Sequence, residues 1–359
     1  METIYCGVDL HYASSTFSFL DENGETKQSV EIRTEKAGIE GLLSGYSDKK
    51  IAYAFEAGNM ATYFHRIVSR LTNTQKIHVV HPYKFKVISE SKHKNDKEDS
   101  LKLAKGLLKD YLPTPVYVKS EVCRQIKFLL NIRRRMVGTR ARLILQAKSV
   151  LRGLGIKESQ RSLITAKGFG RVINNLAGEP FYRQVMGTLA TECEQESQKI
   201  EKVEEQTKAL IDHNFKLEYE LLISIPGISF VTAATIISVI DDVNRFERAG
   251  QFSSYCGLTP SEHSSGEKIR HGRLTKEGVK ELRWLLTQSA WIILRVKKGK
   301  DERLEKMKKK FYRMACKQKS TAKAVSAIAR HLSRVVFGVL KNNTPYCGDL
   351  ANKAKACCQ

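Results

Sequence analysis

The stretch Thr3-Ile4-Tyr5-Cys6-Gly7-Val8-Asp9-Leu10 decides the fold. It is an apolar run closing on a carboxylate, the pattern of a central strand buried on both faces. Residues 15–20 then alternate apolar with polar before the turn Glu22-Asn23-Gly24, and residues 28–32 supply a third strand, so the chain opens as a meander. A helix over 35–43, a strand over 50–55, a helix over 61–71 and a strand over 76–81 follow. Such alternation calls for a partly parallel sheet covered by helices. The order βββαβαβα is that of an RNase H-like domain.

This order carries four acids to related places. Asp9 ends the first strand, Glu56 ends the fourth beside it, and Asp96 and Asp99 share one face of the following helix. Clustered carboxylates are costly unless they hold a hard cation. The four therefore predict a site for two Mg²⁺ ions about 3.5 to 4 Å apart, suited to activating a nucleophile and steadying the leaving oxygen of a phosphoryl transfer. Any one of these acids alone reads more simply as a helix cap or a surface charge. Their joint occurrence at matching element ends carries the prediction.

The composition points the same way. The 359 residues suffice for two or three domains, and 42% hydrophobic content is ordinary, but a net charge of +23 is not. Such an excess of Lys and Arg pairs with a polyanion, either nucleic acid or an anionic membrane surface. No apolar run reaches the roughly 18 to 20 residues of a membrane span, and the amino terminus lacks the order of a signal peptide, so a cytoplasmic protein without membrane contact is expected. The eight cysteines show neither CxxC units nor zinc spacing with histidine, which predicts reduced thiols and no metal at His263 or His271.

Residues 118–154 are helical and basic. Val122, Ile126, Leu129, Ile132, Met136 and Leu143 keep a helical stripe while Arg133, Arg134, Arg135, Arg140 and Arg142 load the other faces. After a less regular stretch, Leu189, Cys193, Ile200, Val203, Thr207 and Leu210 approximate a heptad seam in a helix over 186–210. Together these predict an antiparallel, coiled-coil-like arm serving as a dimer contact and a nucleic-acid surface.

A third region begins at Ile223-Ser224-Ile225-Pro226-Gly227-Ile228, a helix-turn-helix junction of the kind whose backbone N–H groups at Gly227 can meet a phosphate. A plain helix turn is equally compatible. Beyond it, Gly257-Leu258-Thr259-Pro260 leads to Ser264-Ser265-Gly266 and then to Arg270, Arg273, Lys276 and Arg283. A serine beside glycine, followed by cations, suits a nucleophile facing a phosphate, although Ser-Ser-Gly by itself is more often a turn. The carboxyl-terminal helices add Lys297, Lys298, Lys308 and Lys309 for backbone phosphates, while Trp291, Phe311 and Tyr312 read mainly as packing residues.

The spacing of Asp9, Glu56, Asp96 and Asp99, together with Ile225-Pro226-Gly227-Ile228, Gly257-Leu258-Thr259-Pro260, Ser264-Ser265-Gly266 and Gly272-Arg273-Leu274-Thr275-Lys276-Glu277-Gly278, closely resembles the insertion-sequence transposase family numbered one hundred and ten, which includes the Piv-type DNA invertases. The resemblance runs from Tyr5 to about Tyr346. It implies a RuvC-like domain over 1–112 with a DEDD metal site for Mg²⁺ and a mostly helical transposase domain over 219–346, to which the reading of the residues adds the helical arm over 113–218 and a loose tail over 347–359. It further implies that Ser265 is the catalytic nucleophile. The implied partners are donor and target DNA, a structured noncoding bridge RNA, and further copies of the chain in a dimer or tetramer.

Two positions depart from the family's usual pattern. Asn95 stands where threonine is frequent, and Ser100 where alanine is. The segment Leu10-His11-Tyr12-Ala13 also lacks the lysine common there, and no role is assigned to it. The expected activity is DNA recombination through Ser265 and the four acids. The alternatives are a site-specific invertase, or a junction nuclease that uses the acids alone.

Overall fold

The computed structural model describes residues 2–88, 95–262, 271–275, 277–296 and 301–348. The chain divides into two compact units, Met1–Val118 and Lys119–Gln359.

The first unit is a five-stranded mixed sheet with helices. Strands β1 (Thr3–Leu10), β2 (Ser14–Leu20) and β3 (Thr26–Arg33) form the meander. Helix α1 (Lys36–Ser44), β4 (Lys50–Glu56), α2 (Ala61–Val68), β5 (Thr74–Val80), α3 (Pro82–Ile88) and α4 (Asp96–Leu108) follow. The strand order is β3-β2-β1-β4-β5, with β1 antiparallel to β2 and parallel to β4, and β5 parallel to β4.

The middle position of β1 explains its apolar run. Ile4, Cys6 and Val8 enter a core of Phe17, Phe19, Tyr53, Phe55 and Phe64, closed by Ile39 of α1 and Ile67 of α2. The opposite face is built small, with Ala52 and Ala54 against Leu103 and Leu107 of α4. Gly7 sets the closeness of that contact. A Cβ at Gly7 would overlap the Ser100 carbonyl oxygen and the Ala104 amide nitrogen, so only glycine lets α4 lie this near β1.

The second unit is nearly all helical. Helix α5 (Glu121–Gly153) is followed by α6 (Ala166–Asn175), α7 (Pro180–Asn214), α8 (Lys216–Ile223), α9 (Phe230–Ile240) and α10 (Ala249–Tyr255). A short hairpin of β6 (Pro260–Glu262) and β7 (His271–Leu274) then precedes α11 (Lys280–Arg295), α12 (Glu302–Gln318) and α13 (Thr321–Lys341). Every residue from Thr232 to Ile240 is buried, which makes α9 the central helix of this core.

Helices α5 and α7 run antiparallel. As α5 advances from Arg133 to Arg140, its partners on α7 retreat from Glu204 to Ser197, with Arg133 Nε 2.5 Å from Glu204 Oε1 and Arg140 Nη1 3.1 Å from Ser197 Oγ. The buried stripe of α5 differs from the expected one. Its fully buried residues are Cys123, Ile126, Leu130, Ile144, Ala147 and Leu151. The reason is that the helix serves two cores, its start joining the cluster around α9 and its end joining Phe169, Val172 and Met186 of α6 and α7. The middle turns, which carry the arginines, belong to neither. Helix α6, where the sequence reads as irregular, caps this second cluster with a Thr165 side chain that accepts from Gly168 N at 3.1 Å.

Cys6, Cys123, Cys193 and Cys256 are buried, whereas Cys316 and Cys347 are exposed, and all six are free thiols. No helix among the described residues is long and apolar enough to cross a membrane.

Candidate active site

The parallel register of β1 with β4 pairs Val8 with Phe55, so the next residues along each strand, Asp9 and Glu56, stand side by side at the carboxyl ends of adjoining strands. In sheets with parallel strands this is where ligands bind. Helix α4 delivers the other two acids. Asn95 caps it, its side chain accepting from Lys97 N at 3.2 Å, and Asp96 and Asp99 occupy the first turn. One turn on, Ser100 is fully buried and its Oγ lies 2.8 Å from Ser18 Oγ of β2, which fastens the acidic turn to the sheet.

Asp9, His11 and Asp96 each offer a ligand atom, and the three atoms lie within 4.8 Å of one another. His11 Nε2 is 3.3 Å from Asp9 Oδ2. Burial is the largest influence on the Asp9 carboxyl and pushes it above its ordinary range; His11 opposes this, and the charges of Asp96 and Asp99 add to it. An anion made costly by burial and by like charges is one that a cation would relieve. The donor set, two carboxylates and an imidazole with two more acids close by, fits a divalent metal ion. Asp99 and Glu56 stand outside the tight trio, and Asp99 Oδ1 is 3.5 Å from Lys102 Nζ. His11 is the member that the sequence left without a role. Its place two residues beyond Asp9, just past the end of β1, was the available signal.

In the second unit, Ser265 and Gly266 lie outside the described residues, as do Arg270, Lys276, Lys297 and Lys298. The residues on either side of the serine segment pack closely. Gly257, at φ +68°, faces Gly278, and a Cβ on Gly278 would overlap the Gly257 backbone. Val279 N donates to Tyr255 O at 2.9 Å and Thr275 N to Thr259 O at 3.1 Å, so the two ends of the serine segment are zipped together. Beneath them, Arg283 Nη1 and Thr259 Oγ1 are buried without a hydrogen-bond partner among the described residues.

The remaining expected nucleic-acid contacts divide into engaged and open groups. Arg133 pairs with Glu204, and Arg134 shares Glu281 with Lys127. Lys308 is buried and paired with Glu305 Oε1 at 2.8 Å. Gly227, at φ +83°, packs so that a Cβ would stand 2.9 Å from Ser289 O, a packing reason for glycine that the sequence alone did not reveal. Arg135, Arg273 and Lys309 are exposed. Trp291 and Phe311 meet edge to face at 5.9 Å within the core, while Tyr312 is exposed.

Known proteins share this arrangement of sequence. Residues 6–156 match the DEDD model of IS110 transposases, described as a transposase. Residues 219–305 match the model described as "Transposase IS116/IS110/IS902 family". The chain is 28% identical over 268 residues to the transposase for insertion sequence element IS1111A of Coxiella burnetii, covering 71% of this chain and 69% of that protein. It is 25% identical over 303 residues to a probable family 20 transposase of Pseudomonas aeruginosa, covering 82% and 85%. A pilin gene-inverting protein of Moraxella lacunata is 33% identical over 153 residues, 42% of this chain and 46% of its own. With both family models matched and transposases as relatives over most of its length, the chain belongs to the IS110 family of DNA transposases.

Proposed function

We infer that this transposase recombines DNA by a serine nucleophile working with a metal ion held by an RNase H-like, RuvC-type domain. The observation that carries the reading is the meeting of Asp9 and Asp96 at the end of the central strand, with Glu56 on the adjoining strand. Asp9, Glu56, Asp96 and Asp99 would hold Mg²⁺, which when bound supplies charge stabilisation at the scissile phosphate. Ser265 Oγ attacks the phosphorus and loses its proton. The bond from phosphorus to the departing strand oxygen breaks, that oxygen is protonated, and a phosphoserine ester remains. Attack on this ester by the hydroxyl of a different strand end restores the serine and completes recombination.

Arg283, with a buried nitrogen that lacks a partner among the described residues, is suited to a phosphate oxygen, and the exposed Arg135, Arg273 and Lys309 to the backbone of nucleic acid. The net charge of +23 is what remains once every acid is set against a base, and it accommodates both donor and target DNA and a structured bridge RNA. The antiparallel pair of α5 and α7 serves as a coiled-coil arm through which copies of the chain form a dimer or tetramer.

The test is strand transfer with purified protein, donor and target DNA and Mg²⁺, with and without RNA transcribed from the DNA flanking the gene. Asp9→Asn and Ser265→Ala are each expected to lower transfer by on the order of 10³-fold or more while DNA binding persists. Cleavage undiminished in Ser265→Ala would replace this reading with a metal-dependent nuclease. The resemblance to a pilin gene-inverting protein supports a second outcome, inversion between two sites on one DNA. Substrates carrying inverted sites distinguish it from insertion.

A further inference from the structure

We propose that His11 is a direct ligand of the metal ion, placing a nitrogen donor beside Asp9 and Asp96 in the first coordination sphere. This rests on the metal site argued above and adds to the four acids a residue of a different chemical kind.

Three observations carry it. The first is distance. Adjacent donors of an octahedral ion with bonds of about 2.1 Å stand about 3 Å apart and opposed donors about 4.2 Å apart. His11 Nε2 is 3.3 Å from Asp9 Oδ2, and one ring nitrogen of His11, one oxygen of Asp9 and one oxygen of Asp96 all lie within 4.8 Å of one another. The trio thus already has nearly the dimensions of a coordination sphere. His11 Nε2 stands within hydrogen-bonding distance of Asp9 Oδ2, and an ion bound there would be ligated by Nε2 with the imidazole proton carried on Nδ1.

The second observation is that the backbone holding His11 is fixed. His11 N donates to Ser14 O at 3.2 Å, and its carbonyl accepts from Thr34 Oγ1 at 2.8 Å. Thr34 is buried, bonded at 2.7 Å to the Ser15 hydroxyl, and its amide donates to Ala13 O at 3.1 Å. The β1–β2 turn is therefore tied at His11 and Ala13 to Thr34, the residue that follows β3. The third is accessibility. The His11 side chain is 60% exposed while Asp9 is 21% exposed, so the imidazole closes the outer side of the site without burying it, leaving positions for substrate oxygens and water.

The choice of donor has a chemical consequence. Carboxylates suit Mg²⁺ and Mn²⁺ alike, whereas a nitrogen donor is accepted more readily by the transition ion Mn²⁺ than by the hard ion Mg²⁺. His11→Gln should therefore weaken Mn²⁺ binding by about tenfold or more and Mg²⁺ binding by less.

The direct test is pulsed electron paramagnetic resonance of the full-length protein loaded with Mn²⁺, together with Mn²⁺ binding isotherms. The wild type is expected to show modulation from a coordinated ¹⁴N nucleus. His11→Gln is expected to bind Mn²⁺ more weakly and to lose that modulation, with its melting temperature in the absence of metal serving as the folding control. Mn²⁺ that binds in an Asp9-dependent way but shows no ¹⁴N coupling in the wild type would overturn this inference and leave the acidic site standing. Mn²⁺ binding that is unchanged in Asp9→Asn would overturn both.

Discussion

Ser18 Oγ and Ser100 Oγ lie 2.8 Å apart in the buried seam between β2 and α4, one turn beyond Asp96. The bond joins the helix that carries two acids to the sheet that carries the other two. Ser100 also donates to Lys97 O at 3.0 Å, and Ser18 has a second partner in Ser29 at 3.2 Å. Ser100→Ala therefore leaves Ser18 satisfied, and its cost should be about 1 kcal/mol in chemical denaturation. A loss of several kcal/mol would mean that the seam depends on this pair alone.

Gly7 faces the same seam without that tolerance. The atoms a Cβ would strike belong to the backbone of α4 and cannot rotate away. Gly7→Ala should destabilise the protein by about 3 kcal/mol or more and, by displacing Asp96 from Asp9, weaken Mn²⁺ binding in a titration. A fully stable Gly7→Ala protein with normal metal affinity would show that α4 is not what positions Asp96.

Asp9 should behave oppositely with and without metal. Its carboxyl is raised chiefly by burial, with Asp96 and Asp99 adding to the effect, so the ionised form is a burden to the metal-free fold. Asp9→Asn should therefore melt at or above the wild-type temperature in chelator. With Mg²⁺ at about 100 times its dissociation constant, the wild type should gain about 2.7 kcal/mol and the variant nothing. Calorimetric melts with and without Mg²⁺ check both halves.

The sheet and its acids were legible in the sequence because local pattern and global position agree there. The apolar run ending at Asp9 and the alternating strands and helices specify β1 and its neighbours without reference to distant contacts. The caps and the seam were less visible. Asn95 and Ser100 register in the sequence as small polar departures, and only the fold gives them a bond to Lys97 N and a buried partner in Ser18. The same limit hid the engagement of Arg134 by Glu281, which lies far along the chain, and of Lys308 by Glu305, one turn away yet decided by burial. The buried stripe of α5 was offset because a single periodicity cannot announce that a long helix serves two cores.

His331 on α13 gives the second unit a pH dependence. Its imidazolium is disfavoured first by burial and then by Lys310 and Arg303 of α12 and Arg334 of α13, so its affinity for protons is lower in the folded than in the unfolded chain. The unfolded state then binds more protons just below the ordinary histidine value of about 6.5, and stability falls as the pH is lowered through that range. His331→Gln should lose less stability than the wild type between pH 7 and pH 5 in denaturant titrations. Equal losses would place the acid sensitivity elsewhere.

Gly278 and Gly257 hold the ends of the serine segment together. Gly278→Ala would drive a Cβ into the Gly257 amide, and Arg283 already stands so near that a Cβ on Gly257 would be 2.5 Å from its Nη1. Gly278→Ala should abolish strand transfer and lower stability by about 1–3 kcal/mol, while Mn²⁺ binding at the acids is unchanged. Parallel transfer assays and Mn²⁺ titrations separate the two effects.

The central claim is that Ser265 becomes covalently joined to DNA in a reaction that needs the four acids. It is tested most directly by trapping the protein on a donor substrate in Mg²⁺, digesting it and locating the nucleotide-bearing peptide by mass spectrometry. The account predicts a phosphodiester-linked fragment on Ser265, absent from Ser265→Ala and from Asp9→Asn. Strand cleavage with no adduct, or an adduct on another residue, would contradict it.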